Sequence, residues 1–243
     1  MATLAGTNTG ARIPDIEGRE RRFFMGMAVL LALTVLTGFG LFIVVGISSF
    51  GAPWWVHVHG MTFMSWIALY LTQNWLVLRG NITAHRKLGR IGGLLAIWMV
   101  FVGMVLTPVT LAVHRSPPFF TPPQFLALDW VNIAVFAALI ASGIALRRQT
   151  DWHRRLMLCA TIAVIAPALG RILVLAGHMS PWNNAFALLG YIGIAMVADM
   201  RIRGRVHPAY FVGAAAILAM GFAIQVLSTF LPLVSYAGGL VGG

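Results

Sequence analysis

Seven histidines, Asp129 and Arg171 are the groups of this chain that could do chemistry. Imidazole nitrogens and a carboxylate suit a transition metal. Two histidines at one depth on neighbouring helices suit haem b, and histidines in series can relay protons. The metal-ligand candidates are His57, His59, His114, His178 and Asp129. The haem candidates are His59 with His178 on one side, and His85 with His153 on the other. His57-Val-His59 would set its two rings about 200° apart on a helix, so both could face one metal only if the helix began after His57. Asp129 offers a carboxylate at a depth where a second haem would need another histidine. The chain has no His-Glu-x-x-His motif, and its single Cys159 cannot form an internal disulfide. Zinc-hydrolase chemistry therefore lacks its usual base.

The elements that must position these groups are membrane helices. The 243 residues are 59% hydrophobic and 9% charged, too few charges to cover a soluble domain of this size. Apolar runs recur at the length of about 20 residues that crosses a bilayer core. They are continuous rather than alternating, which excludes a membrane barrel. The expected fold is an all-α bundle of seven transmembrane helices over roughly 23–48, 55–78, 88–112, 123–146, 155–177, 184–200 and 208–235. Residues 1–22 form a polar cytoplasmic tail, 23–236 a single membrane domain, and 237–243 a short outer tail.

Of the 17 Lys and Arg residues, 15 fall in the N-terminal tail and alternate connections. That bias places those segments in the cytoplasm, the N-terminus inside and the C-terminus outside, in a bacterial cytoplasmic membrane. The net charge of +11 is thus a topology signal and an attraction to anionic lipid headgroups, with no call for nucleic acid. The outer segment Ser116-Pro-Pro-Phe-Phe-Thr-Pro-Pro123 cannot be helical through its prolines and is expected to form an extended lid.

Each cytoplasmic connection contains Arg, five residues, then His: Arg79…His85, Arg147…His153 and Arg201…His207. Thr83 and Asp151 stand two before the first two histidines, where either would cap an incoming helix. The recurrence groups the chain as one helix plus three hairpins. His85-Arg86-x-x-Gly89 and Asp151-Trp-His153-Arg154-Arg155-Leu-Met157 resemble motifs of an uncharacterised bacterial family of predicted multi-pass membrane proteins. Members of that family carry His-Arg-x-x-Gly and His-Arg-x-Trp-Met; position 156 here is Leu in place of that Trp. The architecture is also distantly similar to b-type transmembrane cytochromes, a resemblance that implies haem between histidines of neighbouring helices.

At about 1.5 Å per residue, Arg171 lies about 25 Å from the inner end of its span. His59, Asp129 and Arg171 thus share an outer layer. Charges there cost several kcal/mol unless paired, so a buried Asp129–Arg171 ion pair is expected. Gly38-x-Gly40, Gly92-Gly93 and Gly190-x-x-Gly193 are read as close helix contacts. Three functions fit. One is a membrane redox or metal-binding protein with a histidine-lined outer pocket for haem b or a transition metal. The second is a non-catalytic accessory or scaffold subunit among other membrane subunits. The third is a small-molecule or proton transporter using Asp129 and Arg171.

Overall fold

Hydrocarbon offers the backbone no hydrogen-bond partners, so long apolar stretches become helices. The structure, a computed structural model, describes residues 15–178 and 180–242. Among them run nine helices: α1 (Ile16–Val44), α2 (Trp54–Leu78), α3 (Ile82–Ala112), α4 (Pro122–Ala145), α5 (Thr150–Val164), α6 (Ala166–Leu175), α7 (Pro181–Arg203), α8 (Pro208–Ser228) and α9 (Leu231–Gly242). No strand occurs among the described residues. Most of the expected cytoplasmic tail, residues 1–14 with Arg12, and Gly243 of the outer tail lie outside them.

Five helices, α1, α3, α4, α7 and α8, are long and apolar enough to cross a bilayer. The pair α5–α6 makes a sixth around a 42° bend. The chain is an all-helical integral membrane protein. α2 has the length, at 25 residues, but carries two histidines, Gln73 and Asn74 and is not among these six. Large apolar side chains such as Leu36, Leu94, Ile97 and Phe222 point outward. Polar links lie between helices instead, from Thr34 to Tyr191 at 2.7 Å and from Trp98 Nε1 to the Thr62 hydroxyl at 3.1 Å. This arrangement suits lipid as the solvent.

Two prolines inside the bundle show how the backbone stays satisfied. Pro167 has no N–H for the carbonyl of Ala163, four residues earlier, and the helix breaks there. Asn132 Nδ2 of α4 donates to that freed carbonyl at 2.8 Å. Pro108 of α3 likewise leaves the Met104 carbonyl, and Trp130 Nε1 of α4 donates to it at 3.2 Å. One turn of α4 thus serves both breaks. Asn132→Leu is expected to lower stability by about 1–2 kcal/mol, read as the melting midpoint in detergent. Trp130→Phe should cost less, because its bond is exposed.

Several expected details are corrected. Neither Thr83 nor Asp151 caps a helix. Asn81 caps α3 by accepting from the Ala84 amide at 3.1 Å, and α5 follows Gln149 without a side-chain cap. The helices therefore begin six and five residues before their expected starts at 88 and 155. The last expected span, 208–235, is broken after Ser228. Residues expected as an outer tail continue in α9, whose Ala237 is buried with Leu111 and Leu126. In the proline-rich outer segment, Pro122 and Pro123 open α4, where proline's missing N–H costs nothing. The part before them is non-helical and sets Phe119 6.3 Å from Phe42 at the end of α1. Of the glycines read as close contacts, Gly38 lies against Ala168 and Gly92 against Leu69, whereas Gly40, Gly93, Gly190 and Gly193 face open space.

Candidate functional site

Where helix ends meet at the basic side, the chain concentrates its buried charge. Arg155, in the second turn of α5, is fully buried. Its Nε and Nη2 donate to the two carboxylate oxygens of Asp199 on α7, at 2.9 and 2.6 Å. Nη2 also reaches Glu20 of α1 at 2.9 Å, and Nη1 donates to the Asp151 carbonyl at 3.1 Å. Glu20 in turn pairs with Arg154 at 2.9 Å and with Arg203, which also holds Asp151 at 2.8 Å. Glu20, Asp151 and Asp199 thus balance Arg154, Arg155 and Arg203, joining α1, α5 and α7. The amide of His207 adds a bond to Asp199 at 3.1 Å, bringing in the start of α8.

His85 and His153 meet at this same end. They stand in the first turns of α3 and α5, and their ring centroids are 6.4 Å apart at an interplanar angle of 79°. His153 Nδ1 is 2.8 Å from the Gly143 carbonyl. A carbonyl only accepts, so Nδ1 carries a proton, and in the neutral ring that leaves the lone pair on Nε2. His85 Nδ1 is buried without a partner. The third histidine of the loop recurrence does not join them. His207 caps α8 by accepting from the Ala209 amide at 3.2 Å, and its ring lies 5.0 Å from that of Trp152. Burial, and secondarily the charge of Arg155, holds His207 below the ordinary histidine pKa, which keeps free the lone pair the cap requires.

The outer candidates do not converge. α2 begins at Trp54, so His57 and His59 are both helical and point apart. His57 Nε2 donates to the Phe50 carbonyl at 3.1 Å, while His59 stacks on Phe63 with centroids 4.5 Å apart. His114 occupies a left-handed turn after α3, at φ 53°, and His178 is exposed beyond α6. The expected Asp129–Arg171 ion pair is not formed: no N···O distance between them is within 4.0 Å. The Thr107 hydroxyl donates to Asp129 Oδ2 at 2.9 Å. The Arg171 guanidinium lies 4.2 Å from the Phe39 ring centroid and donates to the Pro167 carbonyl at 2.8 Å. Aromatic faces have taken the place of the carboxylate as its neighbours. Among the described residues, no three His, Cys, Asp or Glu side chains gather where they could hold a metal ion.

No protein-family model, curated protein or solved structure matches this chain. Two constellations of polar groups stand at the basic end of the bundle, the charge network and the histidine pair. The charge network is self-neutralising and its carboxylates are already occupied, so it offers positioning rather than a reactive group. The histidine pair has one lone pair directed by the Gly143 contact and one buried nitrogen without a partner. Two open hollows lie elsewhere, one between α1 and α7 and one beside Trp152 and His207.

Sequence spacing hides this network, because its arginines read equally well as loop charges on one side of a membrane. A signal was present: Glu20, Asp151 and Asp199 are half of the chain's six acidic residues, and each sits beside a basic cluster.

Proposed function

We propose that this chain is a seven-span protein of the bacterial cytoplasmic membrane that holds haem b between His85 and His153 and serves membrane electron transfer. The N-terminus is inside and the C-terminus outside. The observation that carries the reading is the 6.4 Å approach of the two rings. Two imidazoles bonded to one metal on opposite sides, with bonds of about 2.0 Å, have ring centroids roughly 6 Å apart.

The number of ligands favours haem over a bare ion. A bare ion would call for about four protein ligands, and the described residues bring no three together. Haem iron takes four nitrogens from its own ring and needs only two axial ligands from the protein. When bound, the group would supply one-electron redox chemistry. His153 is oriented for ligation by its bond to Gly143, an outer-shell contact of the kind that fixes metal-bound histidines. Arg86 and Lys87 follow His85 in sequence and suit carboxylate groups at the membrane interface. Both histidines also belong to the motifs that resemble the multi-pass family.

The orientation is supported by the same contacts. The charge network and the histidine pair bring the starts of α1, α3, α5 and α8 to one end, and α9 packs at the other. The test is an absorption spectrum with iron analysis of the purified protein. A Soret band is expected, lost in His85→Ala and in His153→Ala and kept in His57→Ala and His178→Ala. A folded wild-type protein without iron or colour would sink the reading.

A further inference from the structure

The hollow between α1 and α7 is built unlike the rest of the lipid-facing surface. It has a volume of about 550 Å³. Phe23 of α1 and Ile194 and Val197 of α7 form its apolar wall, and Arg19, Arg22 and Arg201 stand at its basic end. Ile194 and Val197 are each about half exposed, so the trough opens sideways to the bilayer. Arg19 Nη2 donates to the Arg201 carbonyl at 3.3 Å, which straps the two helices together at the mouth.

The acidic groups nearby do not cancel this charge. Glu20, next to Arg19 in sequence, is turned inward and held by Arg154, Arg155 and Arg203. Glu17 pairs with Arg21 at 3.3 Å, and Asp15 approaches Arg22 only at 3.8 Å with both side chains exposed. Three guanidinium groups therefore crown an apolar trough at the basic end of the bundle.

We infer that this hollow is a binding site for an anionic glycerophospholipid of the leaflet at the basic end. The phosphate sits among Arg19, Arg22 and Arg201, and one acyl chain lies along Phe23, Ile194 and Val197. Arginine suits phosphate oxygens through its planar fork of donors, and basic pockets between helices on the cytoplasmic side are where such headgroups are held. The apolar wall is what a free anion would not need. A partner helix would be opposed by three adjacent charges at one end of its groove. Because Glu20 locks α1 from its other face, the groove is preformed. The inference uses the membrane setting alone, so a colourless preparation would leave it standing.

The test is native mass spectrometry of the full chain in detergent with added phosphatidylglycerol or phosphatidylcholine. The wild type is expected to retain phosphatidylglycerol about a hundred-fold better than phosphatidylcholine, given roughly 1 kcal/mol for each of the three arginines near the surface. The Arg19→Ala/Arg22→Ala/Arg201→Ala variant should lose that preference. A control of equal charge change, Arg79→Ala/Arg90→Ala/Arg148→Ala, should keep it. Val197→Trp, which fills the trough but keeps all three arginines, should lose lipid as well and serves if the triple variant does not fold. Equal retention of both lipids by the wild type, an equal loss in the control, or full displacement by millimolar inorganic phosphate overturns the proposal.

Discussion

Arg155→Ala is expected to remove most of the folded protein, with a loss of about 3–5 kcal/mol. The cause is the charge it leaves behind. Asp199 is 2% exposed, and both of its carboxylate oxygens are engaged by Arg155. Without that side chain, its remaining recorded partner is the amide of His207. Glu20 is less affected, since Arg154 and Arg203 still reach it. Arg155→Lys should fall between wild type and Ala, because an ammonium keeps the charge but cannot grip two oxygens and a third partner through a planar fork. The double variant Arg155→Met/Asp199→Leu removes both members of the pair and should recover a large part of the loss, since an apolar replacement strands no charge. Melting in detergent, with surface expression as a second measure, checks the series. If Arg155→Ala melts with the wild type, the network does not hold the bundle. If the double variant is worse than the single, buried charge is not the reason.

The partners of Arg155 are not legible in the sequence. Apolar length and basic loops made the helices legible, because both follow from the bilayer: hydrocarbon demands helix, and positive residues stay on one side. Those signals act on whole segments. Pairing is decided by the rotation of each helix about its axis, which these segment-level signals leave open. Arg155 was visible as one of several arginines in a loop, yet it lies on the α5 face turned to α1 and α7. Asp129 and Arg171 were visible as charges at similar depth, yet depth alone does not make them neighbours. The meeting of His85 and His153 was suggested by the recurrence, since equivalent positions in neighbouring hairpins have similar depth. For His207 the same recurrence gave no such contact, because Pro208 opens α8 and the histidine is drawn into capping it.

Gly38→Ala should give the second large effect, and it tests packing rather than charge. A methyl group on Gly38 would fall inside the Ala168 carbonyl of α6, far within van der Waals contact. A backbone group cannot rotate away as a side chain can, so α1 and α6 must separate. Overpacking of this kind costs about 1–3 kcal/mol, sometimes more. Gly40, two residues along the same helix, faces open space. Gly40→Ala should therefore be neutral or slightly favourable through helix propensity. The contrast isolates the contact from the general effect of replacing glycine. A third variant identifies the atoms involved. Gly38→Ala/Ala168→Gly should melt no higher than Gly38→Ala, because the collision is with the carbonyl and not with the alanine methyl. Rescue by Ala168→Gly would place the contact on the side chain, and equal melting of Gly38→Ala and Gly40→Ala would mean that α1 does not lie against α6 at this point. The bend at Pro167 turns α6 by 42° relative to α5. Relieving the strain by moving α6 would therefore also disturb the Asn132 bond to Ala163, so Gly38→Ala and Asn132→Leu should combine less than additively.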